Sequence, residues 1–81
     1  MLMGLYKIVI PQALHPDLKR ILEKKVYLDY RESRFLLEVY YRYIDKLGPG
    51  QDPKIKARMN QSCPGCVNTG ISALKNYFKN A

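Results

Sequence analysis

A single helical phase runs from Leu18 to Leu47. At about 100° per residue, Leu18, Ile21, Leu22, Val26, Leu36, Val39, Tyr40, Tyr43, Ile44 and Leu47 fall on one side. The phase has one flaw. Lys25, Asp29, Glu32 and Ser33 occupy the same face and interrupt the apolar stripe for about two turns. Asp29-Tyr30-Arg31-Glu32 fits a capping box, with Asp29 as N-cap and Glu32 at N3. That reading gives two helices, near 16–28 and 30–47. The shared phase gives one long helix with a polar waist instead. The cap chemistry tips the expectation toward a helix pair within 16–47.

The flanks complete an all-α chain. Gly48-Pro49-Gly50-Gln51-Asp52-Pro53 ends the helix, because glycine supplies a left-handed C-cap and two prolines forbid continuation. After this loop over 48–53, Lys54 to Asn60 forms a short basic helix with Ile55 and Met59 on one side. Ser62 or Cys63 caps the last helix, over 63–80, with Pro64 in its first turn and a stripe of Val67, Ile71, Leu74 and Phe78. Gly70 inside it costs up to about 1 kcal/mol relative to alanine unless something packs closely there. At the other end, Leu5 to Ile10 is β-branched and stopped by Pro11. A lone strand cannot satisfy its backbone, so residues 1–14 read as an extended arm. His15-Pro16-Asp17 reads as a helix start. The expectation is one domain over 1–81, a small three- to four-helix fold with an extended N-terminal arm.

At 81 residues a single core is marginally stabilising, so oligomerisation or other protein subunits are expected partners. Seven tyrosines and no tryptophan suit half-buried surfaces, and Tyr40 and Tyr43 are the expected interface residues. The net charge is +7, distributed as +2 over residues 1–30, +1 over 31–50 and +4 over 51–81. A basic C-terminal third points to nucleic acid, an acidic protein or an anionic surface. Met1 to Ile10 lacks the basic start and unbroken apolar run of a signal peptide, and no stretch approaches a membrane span. Two cysteines do not make a secreted disulfide scaffold. The chain reads as cytoplasmic, with reduced thiols and no membrane partner.

Those two cysteines, Cys63 and Cys66, form a C-x-x-C pair at a helix start. Three readings stand. The thiols can pack as small hydrophobes at a tight corner. They can supply half of a zinc site shared between chains, since four ligands are needed and the only histidine, His15, leaves a single chain one ligand short. They can also form a redox couple, because a helix N-terminus favours thiolate; redox enzymes with this motif, however, place it after a strand. The expected cofactor is none, with intersubunit zinc as the exception.

For polyanion contact the leading residues are Lys54, Lys56, Arg58, Lys75 and Lys79, which have only Asp52 near them in sequence. Arg31 and Arg34 make a second patch, on a stripe with Arg20, Lys24, Tyr27 and Arg42 that Glu38 and Asp45 interrupt. A solvated face with Arg34–Glu38 and Glu38–Arg42 ion pairs explains that stripe equally well. Residues 54–78 match a helix-turn-helix poorly, because the first helix is barely two turns. Gly48-Pro49-Gly50 lacks the length and lysine of a phosphate loop, and nothing assembles a hydrolase or transferase centre.

Leu36-Leu37-Glu38-Val39-Tyr40-Tyr41-Arg42-Tyr43, followed by Ser62-Cys63-Pro64-Gly65-Cys66-Val67 and Leu74-Lys75-Asn76-Tyr77, resembles small bacteriophage-encoded proteins. In these a Leu/Tyr-rich helix precedes a Ser-Cys-x-x-Cys helix start. The resemblance implies a virus-encoded accessory, packaging or virion protein, in the host cytoplasm or the particle. Where that pattern sets arginines after the second cysteine, this chain has Val67 and Asn68, which takes phosphate contact away from the helix start. The functional expectation is a non-enzymatic basic helical module that binds nucleic acid through phosphates. The alternative is an assembly component, such as a ring or connector subunit of a virus particle. A thiol redox protein ranks below both.

Overall fold

The polar waist is a helix boundary. In the computed structural model, which describes residues 9–24, 28–45 and 47–80, helix α1 spans His15–Leu22 and α2 spans Tyr30–Val39. Asp29 Oδ1 accepts the Glu32 N–H at 2.8 Å, and a Glu32 carboxylate oxygen accepts the Asp29 N–H at 3.1 Å, so two otherwise unpaired donors are satisfied reciprocally. Lys24 Nζ donates to the same Glu32 carboxylate and ties the end of α1 to the start of α2. The first helix is shorter than its expected 16–28. It closes where the Lys24 N–H bonds to the Ile21 carbonyl at 3.2 Å, a tightened last turn. Residues 1–8 of the arm expected over 1–14, and Lys25, Val26 and Tyr27 within the helix phase, lie outside the described residues.

The second helix departs from its expected course at the tyrosines. After Val39 the backbone makes one π turn, Tyr40–Ile44, in which the Asp45 N–H reaches back to the Tyr40 carbonyl at 2.8 Å. The wider turn rotates every later side chain against a 3.6-residue count. Tyr41, off the apolar stripe in that count, is buried, while Tyr40, Tyr43 and Ile44 pack half-buried against the core. The helix ends at Ile44, not Leu47. Next, the Gln51 N–H bonds to the Gly48 carbonyl at 3.2 Å, with Pro49 second and Gly50 third at φ +82°, the pattern of a type II turn. The left-handed glycine therefore belongs to this turn and does not cap the helix.

Helix α3, Pro53–Asn60, starts at Asp52, whose side chain accepts the Lys54 N–H at 2.9 Å. Helix α4 runs Pro64–Asn80. The fold is all-α, with no strand among the described residues. α1, α3 and α4 each pack on α2, and α1 also meets α4. Being covered by more than one neighbour, α2 buries Leu37 and Ser33 as well as the expected Leu36 and Val39. Leu18 and Ile21 of α1, Ala57 of α3 and Leu74 of α4 complete the centre. On α3 the contact is Ala57. Ile55 and Met59, the apparent apolar side, are 55% and 76% exposed.

Two close contacts fix the helices. Gly70 faces α2 so tightly that a Cβ placed on it would lie 2.8 Å from Leu36 Cδ2 and 3.3 Å from Leu37 Cδ2. At the far end of α4, Ile10 is 1% exposed and its N–H donates to Tyr77 Oη at 3.1 Å. The Ile10 carbonyl accepts from His15 Nε2 at 2.9 Å, and the imidazole stands edge-on to the Tyr77 and Phe78 rings. The segment from Ile10 through a short 3₁₀ turn at Gln12–Leu14 is thus held in the domain. Among the described residues no helix is long and apolar enough to cross a membrane.

Candidate functional site

Charge on this molecule is separated by element. The carboxylates belong to residues 17–52, and five of the seven have structural work there. Asp17 pairs with Arg20 at 3.4 Å, Glu32 with Lys24, and Glu38 with Arg42 at 3.2 Å. Asp29 and Asp52 cap α2 and α3. Lys24 and the Asp29 N–H together hold the Glu32 carboxyl below its ordinary value. Those pairs absorb most of the arginine stripe expected along residues 20–42. Arg31 remains exposed but borders a shallow groove with Asp17, Arg20 and Glu32, and Arg34 is half-buried.

Helices α3 and α4 carry no carboxylate at all. Lys75 and Lys79 are exposed and line a shallow groove between α1 and α4, joined by Lys19, whose Nζ stands 5.4 Å from the centre of the Phe78 ring. Glu23 is the acidic residue on that groove. Lys54 and Arg58 are exposed one turn apart on α3, while Lys56 is half-buried with its Nζ 4.9 Å above the Tyr41 ring. The expected cations therefore gather in two groups, one on α3 and one at the α1/α4 groove. Lys19 is the member that sequence reasoning missed; nothing in its local pattern distinguishes it, and only the packing of α1 on α4 brings it to the others.

The tyrosines expected at an interface with other chains lie against their own. Tyr40 is half-buried where α2 meets Gly70, 5.3 Å from the Tyr41 ring. Burial, then the nearby Asp45 carboxylate and Tyr41, push its phenol above the usual value. Tyr43 is half-buried. Tyr41 accepts a hydrogen bond from Asn60 Nδ2 at 2.9 Å, which links the π turn to the end of α3.

At the start of α4, Cys63 is the N-cap residue. Its carbonyl accepts the Val67 N–H at 3.0 Å, and its sulfur accepts the Cys66 N–H at 3.1 Å, as a serine or aspartate oxygen does at this position. The two sulfurs lie within bonding distance, so the structure closes the pair where reduced thiols were expected. A shared zinc would need both thiolates, and hence a reduced pair. His15 cannot assist. It packs on Tyr77 and Phe78, about 17 Å along α4 from Cys66 by helical rise. Among the described residues no three His, Cys, Asp or Glu side chains converge.

Beside this corner lies a cleft of about 350 Å³ between the first turns of α2 and α4. Leu28, Tyr30, Val67 and Ile71 make apolar walls, and Ser62 and Pro64, the neighbours of Cys63, border it. The side-chain oxygen of Gln61, also in the lining, is buried and has no hydrogen-bond partner among the described residues. No protein-family model, no curated protein and no solved structure matches this chain, so its function is read from these two surfaces and this corner.

Proposed function

We propose that this protein is a basic helical module that contacts nucleic acid mainly through phosphates. One observation carries the reading: the carboxylates are confined to residues 17–52, while Lys54, Lys56, Arg58, Lys75 and Lys79 follow on helices without one. Phosphate binding requires cations that are not already neutralised within the protein. Lys19, Lys75 and Lys79 around Phe78 form one contact, and Lys54 and Arg58 on α3 form the second. The described residues span 40 × 30 × 23 Å, so one molecule covers about 12 base pairs of duplex at 3.4 Å each.

Binding to a labelled 20-mer, as duplex and as single strand, tests this across a salt series. Five phosphate contacts predict a slope of log K against log salt near −4.5 on duplex. The pair Lys75→Glu and Lys79→Glu lowers the affinity and flattens that slope by about 1.8. No binding at low salt, or binding indifferent to salt, sinks the proposal.

A second reading, an assembly subunit such as a ring or connector of a virus particle, draws on Ile55 and Met59, exposed together one turn apart. Because Tyr40 packs inside the chain, Tyr40→Ala reports on folding, and Ile55→Ser with Met59→Ser is the better probe of assembly. An oligomer that survives the lysine changes but dissociates with the serine changes, by sedimentation, would favour this second reading.

A further inference from the structure

We propose that Cys63 and Cys66 form a thiol–disulfide exchange site in which Cys63 makes the mixed disulfide with a cysteine-bearing peptide seated in the cleft between α2 and α4. The closed pair is poorly placed to act as a staple. It joins residues three apart at one helix start and links no two elements, so it constrains an unfolded chain far less than a bridge across a long loop. A bond that stabilises little is free to be made and broken.

The two sulfurs are not equivalent. Cys63 stands at the N-cap, outside the helix, and its sulfur receives the Cys66 N–H at 3.1 Å. After reduction that donor and the open N-terminus of a 17-residue helix still face Cys63 and favour its thiolate. Cys66 lies one turn inside, positioned to displace whatever Cys63 has bound. The sequence after Asp52 contains no carboxylate to repel that thiolate. Both neighbours of Cys63 border the cleft, which puts its edge within reach of the residues that adjoin a substrate cysteine bonded to Cys63. There the apolar walls of Leu28, Val67 and Ile71 suit an aliphatic side chain.

The step balances in two displacements. The Cys63 thiolate attacks one sulfur of a peptide disulfide; the peptide S–S bond breaks and one peptide thiolate leaves. Cys66 gives its proton to solvent and attacks the Cys63 sulfur, the mixed disulfide breaks, and the second peptide thiolate leaves. Two electrons pass from the cysteine pair to the peptide disulfide, and both released thiolates take protons from water. No metal takes part.

The test uses full-length reduced protein in chelator and a synthetic Leu-Cys peptide supplied as its disulfide dimer, with acid quench and intact mass. Cys66→Ser should accumulate the peptide adduct at least ten times faster than Cys63→Ser. Wild type should return to the closed pair, 2 Da lighter than the reduced form, with two peptide thiols released. Tyr30→Ala should slow the peptide dimer several-fold and leave oxidised glutathione unchanged. Limited alkylation of reduced wild type, mapped by digestion, reads the same order without a variant and should label Cys63 first. Equal labelling of the two cysteines, or a wild type that stops at the mixed disulfide, overturns the exchange site. Rates for oxidised glutathione that match the peptide dimer and ignore Tyr30 overturn the peptide seat.

Discussion

Gly70 faces the side chains of Leu36 and Leu37 at distances that a methyl group would violate. Alanine normally gains up to about 1 kcal/mol over glycine inside a helix, whereas overpacking a core costs about 1–3 kcal/mol. Gly70→Ala should therefore lose about 1 kcal/mol net in urea unfolding, and Gly70→Val more. Gly65 has open space around it, so Gly65→Ala should be neutral or gain up to about 0.5 kcal/mol. If both alanines stabilise alike, the helices do not meet at Gly70. Glu32 gives a second prediction. Lys24 and the Asp29 N–H lower its folded-state pKa, so its contribution is fully present above the unfolded value of about 4.3 and disappears as pH falls through the lowered folded value. Unfolding midpoints should drop across that acid window, and Glu32→Gln should flatten the drop.

At the scale of elements, the caps and the π turn are separable. Asp29→Ala removes one partner of the capping box and should cost about 1 kcal/mol, seen as a lower denaturation midpoint. Tyr41→Phe keeps the buried ring but leaves Asn60 without its acceptor, for about 1 kcal/mol. The capping box at Asp29, the prolines after Gly48 and the α4 stripe were all legible in the sequence, because each is a local pattern whose chemistry lies within a few residues. The π turn was not. No local pattern marks it, and Tyr41, like Leu37 four residues earlier, is buried because this helix has neighbours on more than one side. Nor does a local pattern tell which helix is central, and that is why Leu37, Ile10 and Ala57 escaped it while Ile55 and Met59 read as a packed side. The candidate site divides in the same way. The cysteine corner and the acid-free C-terminal third are visible in the chain as written. Lys19 joins Lys75 and Lys79 only once α1 lies on α4.

For the molecule as a whole, the contact that spans most of the chain ties down one of its most buried side chains. Ile10 donates to Tyr77 across 67 residues, with His15 holding the Ile10 carbonyl from below. Tyr77→Phe should keep the aromatic packing, lose this tie, and lower stability by about 1 kcal/mol while speeding amide exchange at Ile10. During synthesis the chain emerges from its N-terminus, and Ile10 is made 67 residues before its partner. At about 5–20 residues per second that interval is roughly 3–13 seconds, longer than helices and loops take to form. The nascent protein therefore spends seconds with Ile10 lacking its Tyr77 partner, and this tie closes only after the last turns of α4 have been made and released.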